Sequence, residues 1–175
     1  MKSLIVYESM FGDTQLVAKA IAAGLTANGA IDADVVEVGA APTSIGTDVD
    51  LLIVGGPTHA FSMSRPSSRQ DAGRQAGEQA IISQGRGIRE WLETVTVPNG
   101  LAVASFDTKV SKPHLPGSAG RAAEKRLRRK GCRIIAPAED FYVTGTRGPL
   151  DNGEQERARS WGADLASDAT RRHPG

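Results

Sequence analysis

Apolar residues are grouped along this chain in short runs that are separated by longer amphipathic stretches. Four runs have the length and apolar content of buried strands: Ser3–Tyr7, Ala33–Val38, Val49–Val54 and Leu101–Phe106. Arg133–Ala136 and Glu139–Val143 together predict a fifth strand, interrupted at Pro137, which has no backbone N–H to donate. Strands of this apolar character are typical of a parallel sheet that helices cover on both faces.

Between the predicted strands, apolar residues recur at the three- and four-residue spacing of helices. The first helix begins at Asp13 or Thr14 and ends at Asn28-Gly29. Further helices are predicted at three places: 88–95, from the end of a loop at 107–117 to Lys130, and from Asp151 to about Arg172. The polar segment 62–86 has no clear period and is assigned no element. Alternating strands and helices predict one α/β domain over 1–175, with a three-layer doubly wound sheet.

Composition narrows the class of protein further. Hydrophobic residues make up 39% of the chain, which is typical of a folded domain. No apolar run reaches the roughly 18 residues of a membrane-spanning helix, and we expect no secretory signal. The single cysteine, Cys132, cannot form an internal disulfide, and we expect it to be a small buried side chain. These features favour a protein of the reducing cytoplasm.

Charge is distributed unevenly along the chain. Residues 1–60 carry two basic and seven acidic side chains, whereas residues 61–175 carry nineteen basic and thirteen acidic ones. One dense basic cluster lies at the end of a predicted helix: Arg121, Lys125, Arg126, Arg128, Arg129 and Lys130. Cations near a helix C-terminus complement the helix dipole, and no aromatic residues are interleaved with them. We therefore expect no nucleic-acid partner.

The loop after the first predicted strand has the character of an anion site. It runs Glu8-Ser9-Met10-Phe11-Gly12-Asp13-Thr14 and opens directly into a helix. Backbone N–H groups and the positive end of a helix dipole favour a phosphate at such a place. Neither the GxxxxGK[ST] nor the GxGxxG spacing is present, which disfavours a nucleoside triphosphate or a dinucleotide as the ligand.

This strand–SMFGDT–helix segment resembles the phosphate loop of the flavodoxin family, whose usual form is [ST]-x-T-G-x-T. Ser9, Gly12 and Thr14 match that form, while Phe11 stands where the family usually has threonine. The resemblance implies the flavodoxin-like strand order 2-1-3-4-5 and an FMN whose phosphate lies on Ser9–Thr14, with Met10 and Asp13 in the loop. Phe11 removes one hydroxyl donor, so the backbone donors would have to suffice.

Two further loops are implied to hold the flavin. Gly55-Gly56-Pro57-Thr58-His59-Ala60-Phe61 resembles the G-x-P-T-x segment of the quinone-reductase and flavodiiron branches, which wraps the isoalloxazine. The resemblance assigns cofactor contacts to Pro57, Thr58, His59 and Ala60 and makes Phe61 the expected ring partner. His59 has no carboxylate nearby in sequence, and we expect it to be a loop residue beside the flavin.

The third implied loop is Ser105-Phe106-Asp107-Thr108, at the pyrimidine edge of the flavin. There Asp107 or the backbone near it would accept the N3 proton. The second and third loops fall in the basic part of the chain, close in sequence to Arg65, Arg69, Lys109 and Lys112. We therefore expect a mixed or positive rim around the flavin.

Two functions from different classes follow. The first is an FMN redox protein, either an electron carrier that meets a redox partner protein or a small reductase acting with NAD(P)H or a quinone. The second is a flavodoxin-fold interaction module that has lost its flavin.

No side chain is assigned to catalysis, and no HExxH or CxxC spacing indicates a metal. The chain most resembles small stand-alone actinobacterial flavodoxins, and the absence of glycine between Pro57 and Pro66 favours two-electron chemistry.

Overall fold

Twelve helices and strands follow one another along residues 1–171, the part of the chain that the computed structural model describes. They are β1 (Lys2–Tyr7), α1 (Asp13–Thr26), β2 (Asp32–Glu37), β3 (Leu51–His59), β4 (Ser62–Met63), α2 (Pro66–Ala76), α3 (Ile88–Thr94), β5 (Ala102–Val110), α4 (Ala119–Arg129), β6 (Arg133–Ile134), β7 (Glu139–Val143) and α5 (Glu154–Arg171). Arg172, predicted near the end of the last helix, lies outside the described residues.

The sheet has the order β2-β1-β3-β5-β6, with every neighbouring pair parallel. Strand β7 also pairs in parallel with β5, beyond β6 along the same edge, so β6 and β7 are two halves of one interrupted strand. Counted in that way the order is 2-1-3-4-5, and the predicted doubly wound sheet is confirmed. The short strand β4 pairs antiparallel with the end of β3 and forms a hairpin with it.

Side chains alternate between the two faces of the sheet and supply two separate cores. One core lies against α3 and α4 and includes Leu4, Val6, Leu52, Val54, Trp91 and Leu127. The other lies against α1 and α5 and includes Ile5, Ile21, Ile53, Phe106, Phe141 and Leu165. Cys132 is a buried free thiol, as predicted.

Two strands continue beyond their predicted ends, and one segment was wrongly left without elements. The third predicted strand was expected to end at Val54, but β3 continues to His59, since Gly55–Pro57 pair with Phe106–Thr108 of β5. The fourth predicted strand was expected to end at Phe106 and to be followed by a loop, but β5 continues to Val110. It continues because Phe106–Val110 pair with Glu139–Val143 of β7, which satisfies the backbone of the polar half of the strand. The segment 62–86, which was assigned no element, contains β4 and α2.

Helices α1 and α5 approach so closely that each presents a glycine to the backbone of the other. A Cβ on Gly162 would lie 2.2 Å from the carbonyl oxygen of Ile21, and one on Gly24 would lie 2.0 Å from that of Arg159. Backbone atoms cannot move aside as the end of a side chain can. Glycine is therefore required at both positions for this packing.

We expect Gly162→Ala to lower the free energy of unfolding by about 2–3 kcal/mol, the range typical of an overpacked core. The control is Gly73→Ala, in the middle of α2, where a Cβ would meet nothing within 4 Å. That change should raise stability by up to about 1 kcal/mol, because alanine favours a helix over glycine. Urea unfolding measures both, and equal stabilities for the two variants would contradict the α1–α5 packing described here.

Candidate functional site

A cavity of about 290 Å³ opens at the carboxyl edge of the sheet, beside the point where the strand order reverses between β1 and β3. Ligands of doubly wound sheets bind at this place. Its volume is at the small end of ligand pockets, which suits a ligand that stays partly exposed. Ten predicted site residues line it: Ser9, Met10, Phe11, Asp13, Thr14, Pro57, Thr58, His59, Ala60 and Thr108.

Hydrogen bonds to the Ser9 side chain hold the loop between β1 and α1 in place. The Ser9 hydroxyl accepts hydrogen bonds from the N–H of Gly12 (3.1 Å) and of Gln15 (3.4 Å). Gly12 has φ of 105°, the left-handed region that glycine favours, and it directly precedes α1. Thr14 Oγ1 lies 2.7 Å from Thr108 Oγ1, which ties the start of α1 to β5.

Four backbone N–H groups of this loop have no hydrogen-bond acceptor within residues 1–171. Within residues 1–171, no atom accepts a hydrogen bond from the N–H of Met10, Phe11, Asp13 or Thr14. All four of these residues line the cavity. Unsatisfied donors at the start of a helix attract an anion through their own partial charges and through the helix dipole. The loop therefore fits a phosphate group.

Residues 58–63 form the hairpin of β3 and β4, whose two-residue turn is Ala60-Phe61. These residues have φ of 46° and 72°, the left-handed values that a type I′ turn requires and that asparagine and glycine usually supply. Phe61 is 54% exposed and does not line the cavity, although it was the expected ring partner. Its carbonyl oxygen instead lies against Gly117, where a Cβ would approach it to 2.0 Å. Its stacking on a flavin stays a prediction.

Asp107 lies behind the cavity rather than in it. Its side chain is fully buried, and Oδ2 accepts hydrogen bonds from Thr58 Oγ1 (2.9 Å), the Ser118 hydroxyl and the N–H of Gly120 (3.1 Å). These donors occupy Oδ2, and through them the side chain anchors the start of α4. Oδ1 has no hydrogen-bond partner within residues 1–171, and the expected contact of Asp107 or the backbone near it with a flavin N3 proton stays a prediction. Side chains alternate along β5, so Thr108 faces the cavity while Asp107 does not.

The neighbouring residues of β5 are also away from the cavity. The Ser105 hydroxyl donates to the carbonyl oxygen of Gly120 at 2.9 Å, on the α4 side of the sheet. Phe106 packs edge-to-face against Phe141 and Trp161 on the other side. Both residues lie within the predicted strand Leu101–Phe106, and the flavin contacts that the resemblance assigned to them stay a prediction.

Burial raises the pKa of Asp107 above its ordinary value of 3.8, more than its hydrogen bonds lower it. A raised folded-state pKa stabilises the fold at acid pH, and that contribution falls as the pH rises from about 4 through the folded-state pKa. We expect the stability of the wild type relative to Asp107→Asn to fall over this range, by about 1.4 kcal/mol for each unit of the shift. Urea unfolding at pH 4–8 measures this difference, in which the titrations of groups that do not interact with Asp107 cancel. A difference that does not change with pH would contradict the prediction.

Helix α2, which the sequence did not reveal, supplies one wall of the cavity. The residues facing it follow helical spacing: Ser68, Asp71, Ala72 and Gln75. His59 Nδ1 lies 3.0 Å from the Ser68 hydroxyl and joins the hairpin to this helix. Burial, and then the charge of Arg69, lower the pKa of His59, so its imidazole is neutral near pH 7.

A buried charge network fixes α2 to the sheet. Arg69, only 7% exposed, donates to the Ser64 hydroxyl at 2.8 Å and to Glu90 at 2.9 Å. Glu8 is buried beside it, with Arg69 Nη1 at 4.0 Å, and accepts hydrogen bonds from the Ser64 hydroxyl and from the N–H of Ile88 (2.8 Å). Burial raises the pKa of Glu8, and the charge of Arg69 opposes that rise. The network therefore joins Glu8, at the start of the loop between β1 and α1, to helices α2 and α3.

Two of the four cations expected at the rim of the cavity are engaged in ion pairs. Of the four expected rim cations, Arg69 is buried in the network just described, and Lys109 pairs with Asp140 at 2.8 Å. Arg65 and Lys112 remain exposed. Lys109 nevertheless lines the cavity. Three lining residues beyond α2 were missed: Val110, in the unpredicted extension of β5, and Val143 and Thr146, which lie more than thirty residues after Thr108.

No family model and no curated protein sequence matches this chain. Solved structures, in contrast, are similar to it over nearly its whole length. A flavodoxin from the domain Archaea is 18% identical over 97% of this chain and 99% of its own, with a TM-score of 0.65. Flavodoxin 1 from Bacillus cereus is 16% identical over 99% of both chains, with a TM-score of 0.67.

The likeness extends beyond the flavodoxins themselves. A WrbA-like flavodoxin protein from Agrobacterium tumefaciens is 18% identical over 98% of this chain and 99% of its own, with a TM-score of 0.60. The chain therefore has the flavodoxin-like α/β fold. None of the helices within residues 1–171 is both long and apolar enough to span a membrane.

Proposed function

We propose that this chain binds one FMN at the carboxyl edge of its sheet and uses the flavin for redox chemistry. One observation carries the proposal: four residues at the start of α1 line the cavity, and their N–H groups donate no hydrogen bond within residues 1–171. A flavodoxin-like fold with such donors at its switch point has the arrangement that an FMN phosphate needs.

The remaining walls are assigned to the rest of the cofactor. The hairpin residues Pro57–Ala60 and the cavity face of α2 would flank the isoalloxazine, with Thr108 at the β5 edge. Once bound, FMN supplies the electron chemistry, and the protein supplies position and electrostatics. The chain's own contribution is a rigid hairpin, since Thr58 donates to Asp107 and His59 contacts Ser68.

Two redox roles are compatible with this proposal. The protein is either an electron carrier that meets a redox partner protein or a small reductase acting with NAD(P)H or a quinone. We place it in a reducing compartment such as the cytoplasm, in keeping with the buried thiol of Cys132.

Titration of the purified chain with FMN tests the proposal. We expect saturation at one equivalent, with a change in flavin fluorescence and a shifted flavin absorption spectrum. Absence of binding would overturn the proposal and favour the alternative, a flavodoxin-fold interaction module without a cofactor. Anaerobic reduction of the complex with NADPH, NADH and a reduced quinone then separates the reductase from the carrier.

The exposed rim cations give a prediction about rates. We expect the variant Arg65→Glu with Lys112→Glu to be reduced several-fold more slowly by the anionic donor NADPH, chiefly at low ionic strength. The control is Lys125→Glu, an exposed charge reversal on α4. Stopped-flow reduction at low and high salt measures the effect. Rates equal to those of the control at low salt would show that these cations do not steer the donor.

A further inference from the structure

The loop between β7 and α5 covers residues 144–153, and its residues 144–150 lie against the phosphate loop. Burial raises the pKa of the Asp13 carboxylate, and the nearby backbone of Leu150 opposes that rise. A Cβ on Gly148 would approach this carboxylate to 2.3 Å, so the two loops are in close contact. Residues 144–150 are also held by their own hydrogen bonds, from Thr144 N to the carbonyl oxygen of Pro149 (2.9 Å) and from Gly148 N to that of Gly145 (2.8 Å).

Arg147 extends from this loop over the ring of Phe11. Its guanidinium carbon lies 5.3 Å from the ring centroid, within the range of a cation–π contact. Among residues 1–171, no carboxylate lies within 4.0 Å of this guanidinium. An unpaired positive charge is therefore held over the side chain of Phe11, one of the four residues whose N–H groups are free.

Two features of the phosphate loop call for such a charge. Phe11 replaces a hydroxyl donor with a ring, and that ring is what supports the guanidinium. Asp13 brings a carboxylate to the cavity, where it would repel a phosphate dianion. A guanidinium offsets that repulsion and can donate two parallel hydrogen bonds to phosphate oxygens.

We infer that Arg147 pairs with the phosphate of FMN and that Phe11 positions it for this contact. The inference rests on the proposed function, because it assigns a residue of this chain to the same cofactor. The loop between β7 and α5 thus becomes a fourth loop of the cofactor site.

The experiment compares FMN with riboflavin, which lacks the phosphate. We expect Arg147→Gln to weaken FMN binding about tenfold or more, since a hydrogen bond to a charged group is lost. Riboflavin affinity should not change, and the dependence of FMN affinity on salt should become shallower. Phe11→Leu should give part of the same loss, and Arg147→Lys should retain part of the affinity. Arg159→Gln, an exposed arginine on α5, is the matched control.

The outcomes separate this inference from the proposed function. If the wild type binds FMN and Arg147→Gln binds it equally well, the role of Arg147 is overturned while the proposed function stands. If Arg147→Gln weakens FMN and riboflavin to the same extent, the residue acts on loop structure alone and the inference is again overturned. If the wild type binds neither flavin, both proposals fail.

Discussion

Replacing Gly12 with valine is expected to weaken FMN binding by at least about tenfold while the chain stays folded. A Cβ at this position would meet only Ile82 Cδ1, at 3.8 Å, so space is available. The cost comes instead from φ of 105°, a conformation that strains a residue with a side chain by about 1–2 kcal/mol. In the variant, relief of that strain would rotate the peptide at position 12. The neighbouring N–H groups would then move away from the positions in which we propose they bind the phosphate.

Gly29→Val is the matched control, because Gly29 has φ of 71°, has nothing within 4 Å of its would-be Cβ and lies after the far end of α1. Both variants should lose a similar amount of stability, but only Gly12→Val should lose FMN affinity. Titration with FMN, followed by fluorescence, measures the difference. Equal affinities for the two variants would show that the geometry of Gly12 is not needed for the cofactor.

Arg69→Leu is expected to lower the free energy of unfolding by about 3 kcal/mol, because it leaves the buried Glu8 without its positive partner. It should also weaken FMN binding, since Arg69 fixes the helix that forms one wall of the cavity. The control is Arg74→Leu on the same helix. Arg74 is 77% exposed and pairs with Asp71, and such surface pairs contribute less than about 0.5 kcal/mol.

Adding Glu8→Gln to Arg69→Leu should restore part of the lost stability, because the carboxylate that was left unpaired is then neutral. Urea unfolding of the single and double variants measures this coupling. If Arg69→Leu were as stable as Arg74→Leu, the buried network would not hold α2 in place.

Most of the strands and helices were predictable because their apolar residues have a clear period or form continuous runs, whereas the strand order was implied by the resemblance. Helix α2 was not, because its buried face consists of Ala72, Ala76 and the charged Arg69. A charged residue at a buried position hides the period, and only Glu8 and Glu90, distant in sequence, explain it. The second half of β5 was missed for a similar reason, since its partner β7 lies about thirty residues further along.

Motif resemblance located the parts of the candidate site that lie on single loops, Ser9–Thr14 and Pro57–Ala60. It did not show that the strand continues past Phe106 and turns alternate side chains away from the cavity, so the flavin contact expected of Asp107 or the backbone near it stays a prediction. It also missed Arg147 and the cavity face of α2. The α2 residues reach the cavity, and Arg147 reaches the ring of Phe11, through tertiary contacts that a linear motif does not contain.

The most direct test of the central claim is a crystal structure of the chain grown with FMN. We expect the phosphate to accept hydrogen bonds from the N–H groups of Met10, Phe11, Asp13 and Thr14. The isoalloxazine should lie between the β3–β4 hairpin and α2. A complex whose phosphate lies away from this loop, or crystals that contain no flavin after growth at saturating FMN, would contradict the account.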